Sequence, residues 1–136
     1  MLGYHLEGFV HEIKVFPDLL ANLSLPEMLG VFFQLLDIDD TSFSVCMGYD
    51  TTFNLGDFYD TPLIFRHVLF ESKPSISLAF LVHERKYQKC QERWFDYIAE
   101  KIPKITTKKI AIVTDREKGV SNAISKMLPN FVNLYC

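Results

Sequence analysis

A chain of 136 residues is the size of one ordinary domain, and with 49% apolar and 23% charged residues its composition is globular rather than disordered. Three scattered cysteines, Cys46, Cys90 and Cys136, are odd in number and lack metal-type spacing, so they make no disulfide framework and fit a reducing compartment. The net charge of −3 singles out no partner, yet residues 1–70 carry two bases against ten acids and residues 71–136 carry twelve against seven, net −8 and +5. That split suits a basic surface facing a polyanion, and equally a solvated helix face.

The N-terminal "MLGYHLEGFVHEIK" mixes charge with apolar residues, and no stretch of the chain reads as a signal peptide or a membrane span. The expectation is an intracellular protein without membrane contact. No repeat, low-complexity segment or Gly/Ser-rich linker divides the chain.

Taken in chain order, "FVHEIKVF" (Phe9–Phe16) alternates as a short strand does and is closed by Pro17. "SLPEMLGVFFQLLDI" reads as a helix: Ser24 and Glu27 match a capping box, Pro26 sits in the first turn, and Met28, Phe32, Leu35 and Leu36 recur at helical spacing. These elements make residues 1–42 a lead-in segment. In "SFSVCMGYDTTF" Phe43, Val45, Met47, Tyr49 and Phe53 share one strand face. Ser44, Cys46, Gly48, Asp50 and Thr52 share the other, so Asp50 projects from the face with little bulk. A loop is expected from "NLGD" to Pro62, which suits a strand start but not mid-sheet. "LIFRHVLF" and "ISLAFLVHE" follow as strands, and the short connections predict a three-stranded antiparallel meander.

From Lys86 to Ile102 the period becomes helical, with Tyr87, Cys90, Trp94, Phe95, Ile98 and Ile102 as the apolar stripe. Arg85, Lys89 and Arg93 lie four apart on the opposite side. "KKIAIVTD" reads as a buried strand, "REKGVSNAISKMLP" as a helix and "FVNLYC" as a last strand. A helix crossover makes the fourth strand parallel to one of its predecessors. The expected class is α/β: an RNase H-like mixed sheet with the meander first and helix–strand–helix–strand after it.

Two aspartates draw attention in that order. Asp50 lies on the first meander strand and Asp115 ends the fourth; if those strands are neighbours, their carboxylates converge. Converging carboxylates suit hard divalent cations, Mg²⁺ or Mn²⁺, which take oxygen ligands and stabilise the attacking and leaving oxygens of a phosphoryl transfer. Each has a plainer alternative: Asp115, or Thr114 with Glu117, caps the next helix, and Asp50 opens a turn. The aspartyl-phosphate comparison that "DTT" invites fails, because no second Asp follows two residues on. The four histidines show no ligand spacing, and no P-loop, Rossmann glycine pattern, nucleophile elbow or C-x-x-C occurs.

"YDTTFNLGDFYDTPLIFRHVLF", "LAFLVHERK" and "VTDREKGVSNAISKMLPN" together resemble the catalytic domain of Mutator-like (MULE) transposases. The resemblance covers roughly residues 40–136, with 43–136 as the partial domain. It implies an RNase H-like fold, nuclear location, and cleavage and rejoining of DNA by a metal-bound triad of two Asp and one Glu. Asp50 is implied as the first acid and Asp115 as the second. The family's third acid lies further downstream; Glu84, Glu100 and Glu117 do not match its place, and of the family's C-x-x-H only Cys136 has a counterpart. The expectation is the N-terminal part of a catalytic domain, inactive alone and prone to self-association or to pairing with a full-length transposase. The alternative is a non-catalytic, domesticated DNA- or protein-binding module, its DNA contact made by Lys86, Lys89, Arg93 and Lys108.

Overall fold

The computed structural model describes residues 3–5, 10–15, 18–37, 45–49, 53–67, 71–84 and 88–135. Among them, nine strands form one mixed sheet and three α-helices pack on it, which makes the class α/β. The strands are β1 (Gly3–His5), β2 (Val10–Lys14), β3 (Leu20–Ser24), β4 (Cys46–Tyr49), β5 (Phe53–Leu55), β6 (Phe58–Arg66), β7 (Ser75–His83), β8 (Ile110–Thr114) and β9 (Phe131–Tyr135). The helices are α1 (Pro26–Asp37), α2 (Gln88–Lys101) and α3 (Lys118–Met127), and a 3₁₀ turn spans Pro103–Thr106. The strand order is β1-β2-β3-β7-β6-β4-β8-β9, with β5 also on β6. Pairing is antiparallel from β1 through to β4 and parallel from β4 to β8 and from β8 to β9.

The predicted meander is present as β4, β6 and β7, and the strand beyond the first crossover helix is parallel to β4, its immediate neighbour. Three local expectations change. The stretch from "NLGD" to Pro62, expected as a loop, is a hairpin: Leu55 pairs with Phe58 across Gly56–Asp57. Gly56 has φ +68°, which a tight two-residue hairpin turn needs at its first central position and which glycine adopts at little cost. Pro62, expected only at a strand start, lies inside β6 opposite Phe80 of β7. On its other edge β6 pairs with β5 as far as Asp60 and with β4 from Leu63. Thr61 and Pro62 thus fall between two ladders, where a missing N–H breaks neither. The Ser24–Glu27 capping box does not form either. Ser24 is the last residue of β3, opposite Ala79, and the Leu25 carbonyl accepts the first helical bonds from Met28 (3.0 Å) and Leu29 (3.1 Å).

The lead-in contributes more than the expected strand and helix, since β3 joins it to the sheet through β7. The core lies between the sheet and the three helices. Phe32 of α1 meets Phe65 of β6 edge-on, with ring centroids 4.9 Å apart, and Phe95 of α2 packs on Tyr49 of β4 at 5.1 Å. Trp94, Phe95, Ile98 and Ile102 of the predicted stripe are buried, as are Val120, Ala123 and Ile124 of α3. Burying apolar side chains of this size supplies about 1.5–3 kcal/mol each, the main force holding the layers together. A bulge between Leu63 and Ile64 leaves Leu78 as an extra residue in β7, so that consecutive Leu78 and Ala79 are both buried. No helix among the described residues is long and apolar enough to cross a membrane.

Candidate functional site

Parallel pairing at the middle of the sheet defines the site. Cys46, Met47, Gly48 and Tyr49 of β4 lie opposite Ala111, Ile112, Val113 and Thr114 of β8. The predicted alternation holds along β4: Val45, Met47 and Tyr49 are buried, Cys46 is exposed and Gly48 half-buried. Asp50, the next residue in sequence, lies outside the described residues. Asp115 follows the last residue of β8 and is half-buried.

The geometry around Asp115 changes the capping alternatives. Its Oδ1 accepts the backbone N–H of Glu117 at 2.9 Å, a turn that bends the chain from β8 toward α3. The N-cap of α3 is Glu117, without a side-chain cap bond, and its carbonyl accepts the Ser121 N–H at 3.1 Å. The Thr114–Glu117 capping box is therefore absent. Thr114 is buried in β8, where its hydroxyl lies 2.8 Å from Asn133 Oδ1 of β9.

Beneath the strand ends sits a polar pair that the sequence reading missed. The buried Tyr49 hydroxyl donates to Oε1 of Gln91, itself fully buried on α2. Burial lifts the Tyr49 phenol well above its ordinary range, and the Glu117 carboxylate and the Cys90 thiol push it the same way. Gln91 occupies the position three before Trp94 and four before Phe95, on the helix's apolar side. That spacing was the available signal, and a glutamine at a core position implies a buried partner.

Of the proposed DNA-contacting bases that the structure describes, Lys89 and Arg93 line one surface cavity and Lys108 lies apart from them. Lys86 lies outside the described residues. Lys89 is exposed on the first turn of α2, and Arg93, also exposed, pairs within the chain: its guanidinium donates to Glu12 Oε1 on β2, with Nε at 2.9 Å. Lys108 lies in the loop after the 3₁₀ turn, beyond the other end of α2. The 14 residues of α2 place roughly 20 Å between the two ends. Lys104 and Lys126 also meet acids, Asp37 and Glu92.

As to a metal, Asp115 supplies an oxygen donor of the right kind at the open end of β8, with Glu117 two residues on. No group of three His, Cys, Asp or Glu side chains that could hold an ion is found among the described residues. Glu84 is engaged elsewhere, its Oε2 accepting the Leu19 N–H at 3.0 Å. His83 is fully buried at the end of β7, with Nε2 2.8 Å from the Thr61 hydroxyl. At that end burial raises the Asp60 carboxyl's pKa, and nearby His83 partly offsets the shift.

No protein-family model, curated protein or solved structure matches the chain. Fold and site together define a mixed α/β domain whose central parallel strands end beside a conspicuous acid.

Proposed function

We propose that the chain is an RNase H-like domain of the Mutator-like transposase type, with DNA as its ancestral substrate and Asp50 and Asp115 as two of its metal-binding acids. The observation that carries the reading is the register at the centre of the sheet. Tyr49 lies opposite Thr114 in a parallel pair, and each is followed in sequence by one of the two aspartates. The strand order β7-β6-β4-β8-β9 supports the fold side of the reading. A meander lies on one side of β4 and two parallel strands on the other, as an RNase H-like sheet requires. Asp115, half-buried and held in place by its bond to the Glu117 N–H, is a suitable fixed oxygen donor.

Mg²⁺ or Mn²⁺ bound there supplies charge stabilisation for in-line attack on a phosphodiester. The chain's own contribution is to fix Asp115 through its turn, while the Tyr49–Gln91 bond ties the end of β4 to α2. With Asp50 and Asp115 as the two acids assigned here, these 136 residues by themselves bind metal weakly and cleave DNA slowly or not at all. The family also implies a nuclear location. The test is thermal denaturation with and without Mn²⁺. The native chain gains stability with the ion and Asp50→Ala does not; equal gains in both refute the metal site.

The charge split favours a second reading, a non-catalytic DNA-binding module using Lys86, Lys89, Arg93 and Lys108. Its signature is salt-sensitive DNA binding that survives loss of both aspartates. Arg93's pairing with Glu12 weighs against it, because contacting DNA would leave Glu12 without its cation.

A further inference from the structure

We propose that the face of the sheet turned away from α1 and α2 binds an amphiphilic monoanion, a molecule with an apolar body and a carboxylate-type head. The ring contacts of Phe32 with Phe65 and of Phe95 with Tyr49 place α1 and α2 on one face of β4 and β6. Alternation along these strands sends Cys46, Gly48, Pro62, Ile64 and Arg66 to the opposite face, where a cavity of about 470 Å³ lies. Small-molecule sites typically enclose about 300–1,000 Å³ and combine apolar walls with a few placed polar groups.

The two ends of this cavity differ chemically. Met47 opposite Phe65 and Gly48 opposite Ile64 place Cys46 across from Arg66, and Arg66 pairs with Ser75 of β7. A thiol, a guanidinium and a hydroxyl therefore stand in a row across three strands. Further along β4 the lining becomes Gly48, Ile64, Pro62 and Val113. A Cβ at Gly48 would meet Ile64 Cγ1 at 3.0 Å and its Cδ1 at 3.2 Å, so a larger residue there would have to push the Ile64 side chain aside. The glycine lets Ile64 lie across β4 and form an apolar wall.

Arg66 is the one charged residue among the described lining residues. A guanidinium favours a carboxylate-like head, which it takes through two parallel hydrogen bonds. A neutral amphiphile gains only the apolar wall, and a cationic one is repelled. The polar row stands at the start of β4, three residues from Tyr49 and roughly 10 Å from the strand end where Asp115 lies. The site is thus separate from the proposed metal centre.

The test uses decanoate, with decanol and decyltrimethylammonium as controls, all below their aggregation thresholds. The full chain carries Cys90→Ser and Cys136→Ser, leaving Cys46 as the sole thiol, and the rate of its modification by a disulfide reagent is followed. Decanoate at ten times its dissociation constant slows the reaction about tenfold. Arg66→Met weakens decanoate about 10- to 100-fold, as loss of a charge-assisted bond predicts, without changing decanol. Arg66→Lys keeps part of the effect. Equal protection by decanol, or Arg66→Met binding decanoate as the parent does, overturns the proposal. So does thiol protection that rises with protein concentration without ligand, which would put a second copy on this face.

Discussion

Replacing Tyr49 with Phe isolates the polar pair under the strand ends. The ring keeps its volume and its packing on Phe95, so no cavity opens, and the only loss is the hydroxyl that donates to Gln91 Oε1. Gln91 is 0% exposed, and its Nε2 has no hydrogen-bond partner among the described residues. The substitution therefore leaves the side-chain amide without a bond at either end. A buried acceptor stripped of its partner costs about 1–3 kcal/mol. Near the middle of that range, a chain of this length melts about 6–10 °C lower. Gln91→Met strands the Tyr49 hydroxyl at similar cost, whereas the double variant removes both groups and recovers much of the loss. The coupling measured by urea denaturation of all four proteins is then about 1–2 kcal/mol. A Tyr49→Phe loss under about 0.5 kcal/mol, or two single losses that simply add, refutes the pair as a structural bond.

Two further predictions concern the phenols and the loop before β8. Burial pushes the Tyr97 phenol up to about 12 from an ordinary 10.0, with the nearby Glu12 and Glu100 carboxylates adding to the shift; Tyr49 moves the same way. A raised folded-state pKa lends stability that is complete below the unfolded value and lost as pH rises through the folded one. Urea midpoints therefore fall from about pH 10 to 12, less steeply in Tyr49→Phe/Tyr97→Phe; equal slopes contradict the assignment. Asn130 Nδ2 donates to the carbonyls of Ile105 (2.7 Å) and Lys108 (2.5 Å), bracing the entry to β8. Asn130→Ala costs about 1–3 kcal/mol in chemical denaturation and speeds amide exchange around the 3₁₀ turn; unchanged exchange there would show that the brace is dispensable.

The elements with strong periodicity were legible in the sequence. The stripe from Trp94 to Ile102 and the alternation of Val45, Met47 and Tyr49 need only local spacing to be read, and both meet the core as expected. β3 was not legible. Its "LANLS" is buried almost throughout because it lies between β2 and β7, so no alternation marks it, and Ser24 imitated a helix cap. Pro62 was misjudged for a related reason. A proline is tolerated in mid-strand only because of where two neighbouring ladders end, and those ladders are non-local. At the candidate site, the sequence pointed to Asp115 and to a strand leading to Asp50. It did not reveal Gln91 or the Arg93–Glu12 pair, since each depends on a partner more than forty residues away.

The juxtaposition of Asp50 and Asp115 is tested most directly by cross-linking. An Asp50→Cys/Asp115→Cys variant, with Cys46, Cys90 and Cys136 changed to Ser, is oxidised mildly and mapped by proteolysis and mass spectrometry. Under the proposal the Tyr49–Thr114 register would run on by one residue, and paired strands lie about 5 Å apart, within the range a disulfide spans. The account predicts a rapid intramolecular 50–115 cross-link in the folded protein that is lost in denaturant. Failure to form it in the folded chain, or equal formation in the denatured one, would contradict the claim that the central parallel strands bring these two acids together.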